Sequence, residues 1–377
     1  MESSQPLRVA HIQPGLWSKH PVKGILLALK TLRVVLIDLP ICSVYYAFYR
    51  PRPTWSWKDS MGCYTINQLM QAVGDYRIPL GTRPPAQAVA EESLRESSFT
   101  WISGVSEDLV KGVAVSDVEK PMKQLTGYIW PKGTDLAKVN GKVALYMHGG
   151  GYYMFSGHES DPVASNMPRY LSKNTSLSGV LVTEYRDANY GIWPAPLLDA
   201  LSGYYHLIKN CDIRPENVVL VGDSASGHLM NCLVRYLRDE QVLPMPGKLI
   251  LLSPWTYQSL SKPNRHIDFL NYEYVASGAQ LMDQGHAPIE YSSPCHPALA
   301  PTPELFKYWP STYLFFGEVE VLTEDGWELE RRLKLAGVDV ATVCERDAIH
   351  DMLVCTWFGT AERHAAAWAK ISQWIDA

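Results

Sequence analysis

The sequence predicts an α/β protein with a mainly parallel sheet, helices on both of its faces and additional chain forming a cap. Three observations lead there. Short, continuous apolar runs recur from about residue 112 onward, helical spacing lies between several of them, and two stretches depart from that rhythm. The chain has 377 residues, 46% of them apolar and 19% charged. That is globular composition, far from the disordered range, and the length calls for one large domain with an added cap or for two domains.

Taken in order, residues 1–20 are mostly polar, with no apolar core of a signal peptide. From Lys23 to Arg50 the chain is more apolar, and Ile25, Leu29, Leu32, Leu36 and Leu39 mark one face of a helix. Lys30, Arg33 and Asp38 interrupt it, so no uncharged run reaches the roughly 18–20 residues a spanning helix needs. Three readings stand: a cap helix packed on the main body, a helix lying on a membrane surface, or an anchor. Residues 51–110 carry little periodicity. Segments 112–119 and 124–130 alternate like a hairpin. Runs at 143–147, 179–184, 218–221, 248–253, 311–316 and 338–344 read as strands buried on both faces. Helical spacing follows at 195–209, 225–239, 325–335 and 361–374. Residues 255–310 are rich in Pro, Tyr, Ser and His and too long for a simple connection, so they read as an insertion. The expected organisation is therefore an N-terminal cap over 1–110 and a main domain over 111–377 carrying a cap insertion at about 255–310.

The 34 basic and 39 acidic residues nearly balance, and no basic run of five or more appears, which weighs against a nucleic-acid footprint. Seven cysteines without a C-x-x-C pair weigh against a structural zinc site and fit reduced thiols in an intracellular, reducing compartment. His158 with Glu159 and Asp161 has no metal-ligand spacing, so no metal is expected.

Three constellations carry chemistry. Gly222-Asp223-Ser224-Ala225-Ser226-Gly227 falls between a buried strand and a helix. A nucleophilic Ser needs such a sharp bend, which exposes its hydroxyl at a helix N-terminus. His148-Gly149-Gly150-Gly151-Tyr152 follows another strand, and consecutive glycines leave backbone N–H groups free to meet the oxyanion of an acyl-transfer intermediate. Near the C-terminus, His350 sits on a loop after the last strand. It can serve as the base that takes the Ser proton. For the acid that orients it, spacing leaves Glu320 in competition with Glu318, Glu324 and Asp325. The aromatics Trp255, Tyr257, Phe269, Tyr272, Tyr274 and Tyr291 either line a pocket or pack the cap. His228 reads as helix packing.

Together these motifs resemble the hormone-sensitive-lipase branch of the α/β-hydrolase fold, with its arylacetamide-deacetylase-like and bacterial carboxylesterases. The resemblance runs from about residue 112 to the end. Beside HGGGY and GDSASG it is carried by Glu184-Tyr185-Arg186, Pro194-Ala195 with Asp199, Ser253-Pro254-Trp255, and Gly317–Gly326 followed by Ala348-Ile349-His350. It implies an eight-stranded, mainly parallel sheet with a helical cap, and a Ser224–His350–Glu320 triad. Gly149, Gly150 and the Ala225 amide would form the oxyanion hole. Tyr152, Asp223 and Trp255 would stand at the substrate, and His148 would be structural. The reaction implied is hydrolysis of a small-molecule ester without a cofactor, through an acyl-enzyme. A small acyl group on a bulky apolar alcohol is the expected substrate. Acyl transfer, thioester cleavage, a non-hydrolytic elimination or cyclisation, and a receptor role are the alternatives. The N-terminal segment also resembles those of fungal esterase-like proteins of secondary-metabolite pathways. Peripheral membrane contact through 23–50 and a homodimer are compatible partners. Three departures stand out. Ser226 replaces the usual Gly, Glu320 stands where the family usually has Asp, and Tyr185-Arg186-Asp187-Ala188-Asn189 lacks the usual Tyr-Arg-Leu-Ala-Pro-Glu ending, so that loop is expected to be rebuilt.

Overall fold

The computed structural model of the protein describes residues 19–76, 78, 80–256 and 302–377. Its centre is one eight-stranded sheet. In chain order the strands are β1 (Ser98–Ser103), β2 (Gln124–Trp130), β3 (Val143–Met147), β4 (Gly179–Thr183), β5 (Val218–Asp223), β6 (Lys248–Leu252), β7 (Ser311–Gly317) and β8 (Val340–Glu345). They lie in the order β1-β2-β4-β3-β5-β6-β7-β8. The pairs β1–β2 and β2–β4 are antiparallel and the others parallel.

The continuous apolar runs have a simple cause. In the centre of the sheet Leu145 pairs with Leu181 on one side and Leu220 on the other. Side chains alternate between faces, and both faces are covered. Val143, Leu145 and Met147 join the core shared with α5 (Ala195–Tyr205), α6 (Ser224–Glu240) and α7 (Thr323–Leu335). Ala144 and Tyr146 join the opposite core, with α4 (Asn166–Asn174) and α8 (Ala361–Asp376). All five residues of β3 are buried.

Three expectations change. The hairpin partner of β2 is β1, not 112–119, where only a short 3-10 turn forms at Gly112–Ala114. The sheet thus begins with β1, inside the stretch expected to be cap. β1 is an edge strand, half-buried along most of its length, so its alternation is weak in sequence. Second, 57–76 forms a long helix despite lacking clear periodicity, α3 (Trp57–Tyr76), and α4 was not expected. Third, the apolar face of the N-terminal helical segment is only partly covered, by α3. α1 (Val22–Arg33) and α2 (Leu39–Phe48) run on through a π-helical turn at Val34–Asp38, and none of these residues is buried. Pro40 has no N–H to offer Leu36, which loosens the ladder there. The Trp57 indole donates to the Ser43 carbonyl at 3.0 Å, tying α2 to α3. Leu36, Ile41, Val44 and Phe48 remain exposed. No described helix is long and apolar enough to cross a membrane. Most of the 255–310 insertion, with Tyr257, Phe269, Tyr272, Tyr274 and Tyr291, lies outside the described residues.

Candidate active site

Parallel strands β3, β5, β7 and β8 end on the same edge of the sheet, and the chemistry-bearing loops gather there. The bend after β5 is tight. A Cβ on Gly222 would stand 2.4 Å from the Ser226 carbonyl oxygen, so only glycine fits. Ser224 sits at φ +51°, the left-handed conformation that lifts its side chain off the first turn of α6. Ser226 explains its own departure from the motif. Its buried hydroxyl accepts from the Asp223 N–H at 2.8 Å and lies 2.6 Å from the Met147 carbonyl, to which it donates. The hydroxyl therefore stitches the bend to the end of β3.

His350 arrives on the loop after β8, which buried Ala348, Ile349 and Met352 anchor in the core. Its Nε2 lies 2.9 Å from Ser224 Oγ. Glu320, on the turn after β7, brings Oε2 to 3.3 Å from the His350 Nδ1 and is fully buried. The carboxylate lies off the line of a linear hydrogen bond, a looseness common in unliganded sites. Burial pushes the Glu320 carboxyl up, and the facing imidazole opposes that. Glu318 is exposed and accepts from the Asp347 N–H at 2.9 Å, and Glu324 is exposed. Asp325 is buried within α7. Of the four acids, Glu320 is the one that meets the imidazole ring.

The glycine loop is placed by Asp223, whose Oδ1 accepts from the Tyr146 hydroxyl at 2.8 Å. Both carboxylate oxygens of Asp223 also accept from the Gly149 N–H at 3.1 Å. Gly149 is therefore engaged in this structure rather than open to a substrate oxygen. Gly150, at φ +99°, borders the cavity together with Ser224. Ala225 lies in the first turn of α6, where backbone N–H groups have no intrahelical acceptor. His148 holds its loop, with Nδ1 2.9 Å from the Gly149 carbonyl.

Tyr152 and Trp255, expected at the substrate, are instead buried beside His228. The Tyr152 hydroxyl and the His228 Nδ1 are 2.8 Å apart. Burial pushes the His228 ring down to about 3, so it stays neutral packing. Neither aromatic borders the described cavity; both pack with His228, and the Trp255 backbone N–H donates to the Ser224 carbonyl at 3.0 Å. Asp223 does border it. In the segment 185–189, whose sequence diverges, two contacts fix the chain. Arg186 pairs with buried Asp199 at 2.7 Å, and the Asn189 amide donates to the Tyr153 carbonyl at 3.1 Å.

The cavity above Ser224 and His350 encloses about 370 Å³ and is mostly apolar. Its walls include Ile66, Leu69 and Met70 of α3, with Phe155, Val354 and Trp357. Sequence reasoning missed α3 as a wall. Its apolar residues serve two surfaces, core and cavity, which blurs the single-face signature. His158 shares a 2.8 Å hydrogen bond with Ser160, and no metal-binding cluster occurs among the described residues.

A sheet of this order, a Ser at the β5–α6 bend and a His on the last loop define an α/β hydrolase. The chain belongs to the alpha/beta hydrolase fold family, whose model matches residues 144–354. It is similar to an acetyl-hydrolase of Streptomyces hygroscopicus, 27% identical over 54% of this chain and 66% of that protein. It is also similar to steryl acetyl hydrolase 1 of Saccharomyces cerevisiae, 29% identical over 34% of this chain and 29% of that protein. These matches thus span less than two thirds of the relatives. Among solved structures, a carboxyl esterase of Tuber melanosporum aligns with a TM-score of 0.62 and 17% identity, over 82% of this chain and 97% of that one. An esterase of the bacterial hormone-sensitive lipase family aligns with a TM-score of 0.57 and 20% identity, over 90% and 96%.

Proposed function

We propose that the protein is a serine carboxylic ester hydrolase that removes a small acyl group, acetyl foremost, from a bulky apolar alcohol. The observation that carries this is the 2.9 Å contact between Ser224 Oγ and His350 Nε2 on the wall of an apolar cavity. His350 takes the Ser224 proton as Oγ attacks the ester carbonyl. Glu320 fixes the ring with Nδ1 protonated and offsets the charge that forms. The amides of Gly150 and Ala225 receive the oxyanion. Gly149 joins them once its N–H leaves Asp223. The protonated ring then releases the alcohol, and water activated by the same base frees the acid. The names of the bacterial and yeast relatives, acetyl hydrolases, support a small acyl group. The test is labelling with a fluorophosphonate and hydrolysis of p-nitrophenyl acetate, by the protein and by Ser224→Ala. Loss of both in the variant is expected, and equal labelling would overturn the assignment.

The exposed N-terminal helices favour a further element of this reading, peripheral membrane contact through residues 23–50. Leu36, Ile41, Val44 and Phe48 offer an unpaired apolar surface, with Lys23, Lys30 and Arg33 nearby in the sequence. No disulfide joins the described cysteines to one another, which fits a reducing compartment on the cytoplasmic side. Co-flotation with anionic lipid vesicles tests the contact.

A further inference from the structure

We propose that Asp351 is a fourth polar member of the reaction centre, whose carboxylate competes with Ser224 for the His350 Nε2 and thereby governs when the base is free. The proposal rests on the reading of Ser224 and His350 as nucleophile and base. Asp351 Oδ2 lies 3.0 Å from His350 Nε2, nearly the distance of Ser224 Oγ from the same atom. This geometry is not incidental. Asp351 sits at φ +50°, and its N–H donates to the Ser253 hydroxyl at 2.9 Å, which fixes the turn. The residue borders the cavity, as do Ser224 and His350.

An ionised carboxylate only accepts hydrogen bonds. It is drawn to Nε2 when that nitrogen carries a proton and repelled by its lone pair when it does not. With the proton in place Nε2 cannot accept from Ser224. Asp351 therefore holds the site at rest. Once the base is neutral, it strengthens the pull on the Ser224 proton and favours the imidazolium formed during attack. The proton passes from Oγ to Nε2 and then to the departing alkoxide, so Asp351 changes the energies of these steps and consumes nothing.

The other groups facing the ring act in the same sense or are neutral. Glu320 approaches Nδ1 from the β7 turn, and Asp223 stands behind Ser224 with Tyr146 hydrogen-bonded to it. Ser253, after β6, holds the Asp351 backbone. Burial would lower the affinity of His350 for a proton. Asp351 and Glu320 outweigh it and hold the ring well above the ordinary histidine range.

The experiment is the pH profile of kcat/KM and kcat for the full chain, Asp351→Asn and Asp351→Ser, on p-nitrophenyl acetate. Asn tolerates the left-handed backbone, and Ser removes the carboxylate without an amide that could rebind Nε2. The acidic limb should move down by about one pH unit or more in both variants. The plateau kcat should fall, with KM little changed. Ser224→Ala run alongside separates the two claims. An inactive Ser224→Ala with unshifted limbs in both Asp351 variants overturns the role of Asp351 alone. An active Ser224→Ala overturns the underlying reading.

Discussion

Replacing Ser226 with Ala should destabilise the protein by about 2–4 kcal/mol. The side chain is fully buried, and its hydroxyl joins the Asp223 N–H to the Met147 carbonyl. Ala leaves both backbone groups buried without that partner, at about 1–2 kcal/mol each, the lower part of the range for an unmet buried polar group. The alternative acceptors are few, because the strand ends are tightly packed and a Cβ on neighbouring Gly222 already has no room. The assay is urea unfolding followed by circular dichroism. With a slope of about 3 kcal/mol per molar, the midpoint should fall by about 1 M with the slope unchanged. Ser226→Gly restores the residue usual at this position yet deletes the same hydroxyl, and it should lose as much. Ser224→Ala is the control. Its side chain meets His350, and it should lose no more than about 1 kcal/mol. A midpoint within about 0.2 M of the parent for both Ser226 variants would refute the stitch between bend and strand.

Glu320→Gln should keep the fold but lower kcat by about 10²–10⁴-fold, because the neutral amide no longer selects the productive tautomer of His350; steady-state kinetics check this, and the same substitution at exposed Glu318 should leave the rate near the parent value. Asp199→Ala should cost about 3 kcal/mol in the same urea assay, since it takes a buried carboxylate from Arg186 and leaves Glu119 to hold that charge. Gly149→Ala should abolish ester cleavage, as its Cβ would stand 2.3 Å from an Asp223 carboxylate oxygen and displace the loop. Replacing exposed Leu36, Ile41 and Val44 together with Ser should reduce vesicle binding by about tenfold or more, without changing turnover of a soluble ester.

The sequence by itself determined the central sheet, because strands buried on both faces must be apolar at every position. The runs at 143–147 and 218–221 match β3 and the start of β5 for that reason. It also determined the bend at Ser224 and the glycine loop, whose backbone geometry demands particular small residues at fixed spacing. Edge strand β1 and helix α3 were hard to read, since each is only partly buried or serves two surfaces at once. Tertiary structure alone decided which of four acids reaches His350, a choice made by the packing of two loops that are distant along the chain. It alone turned Tyr152 and Trp255 inward, engaged Gly149 with Asp223, and brought Asp351 against Nε2. Those contacts depend on distances of an ångström between separate segments, and residue type at one position carries no record of them.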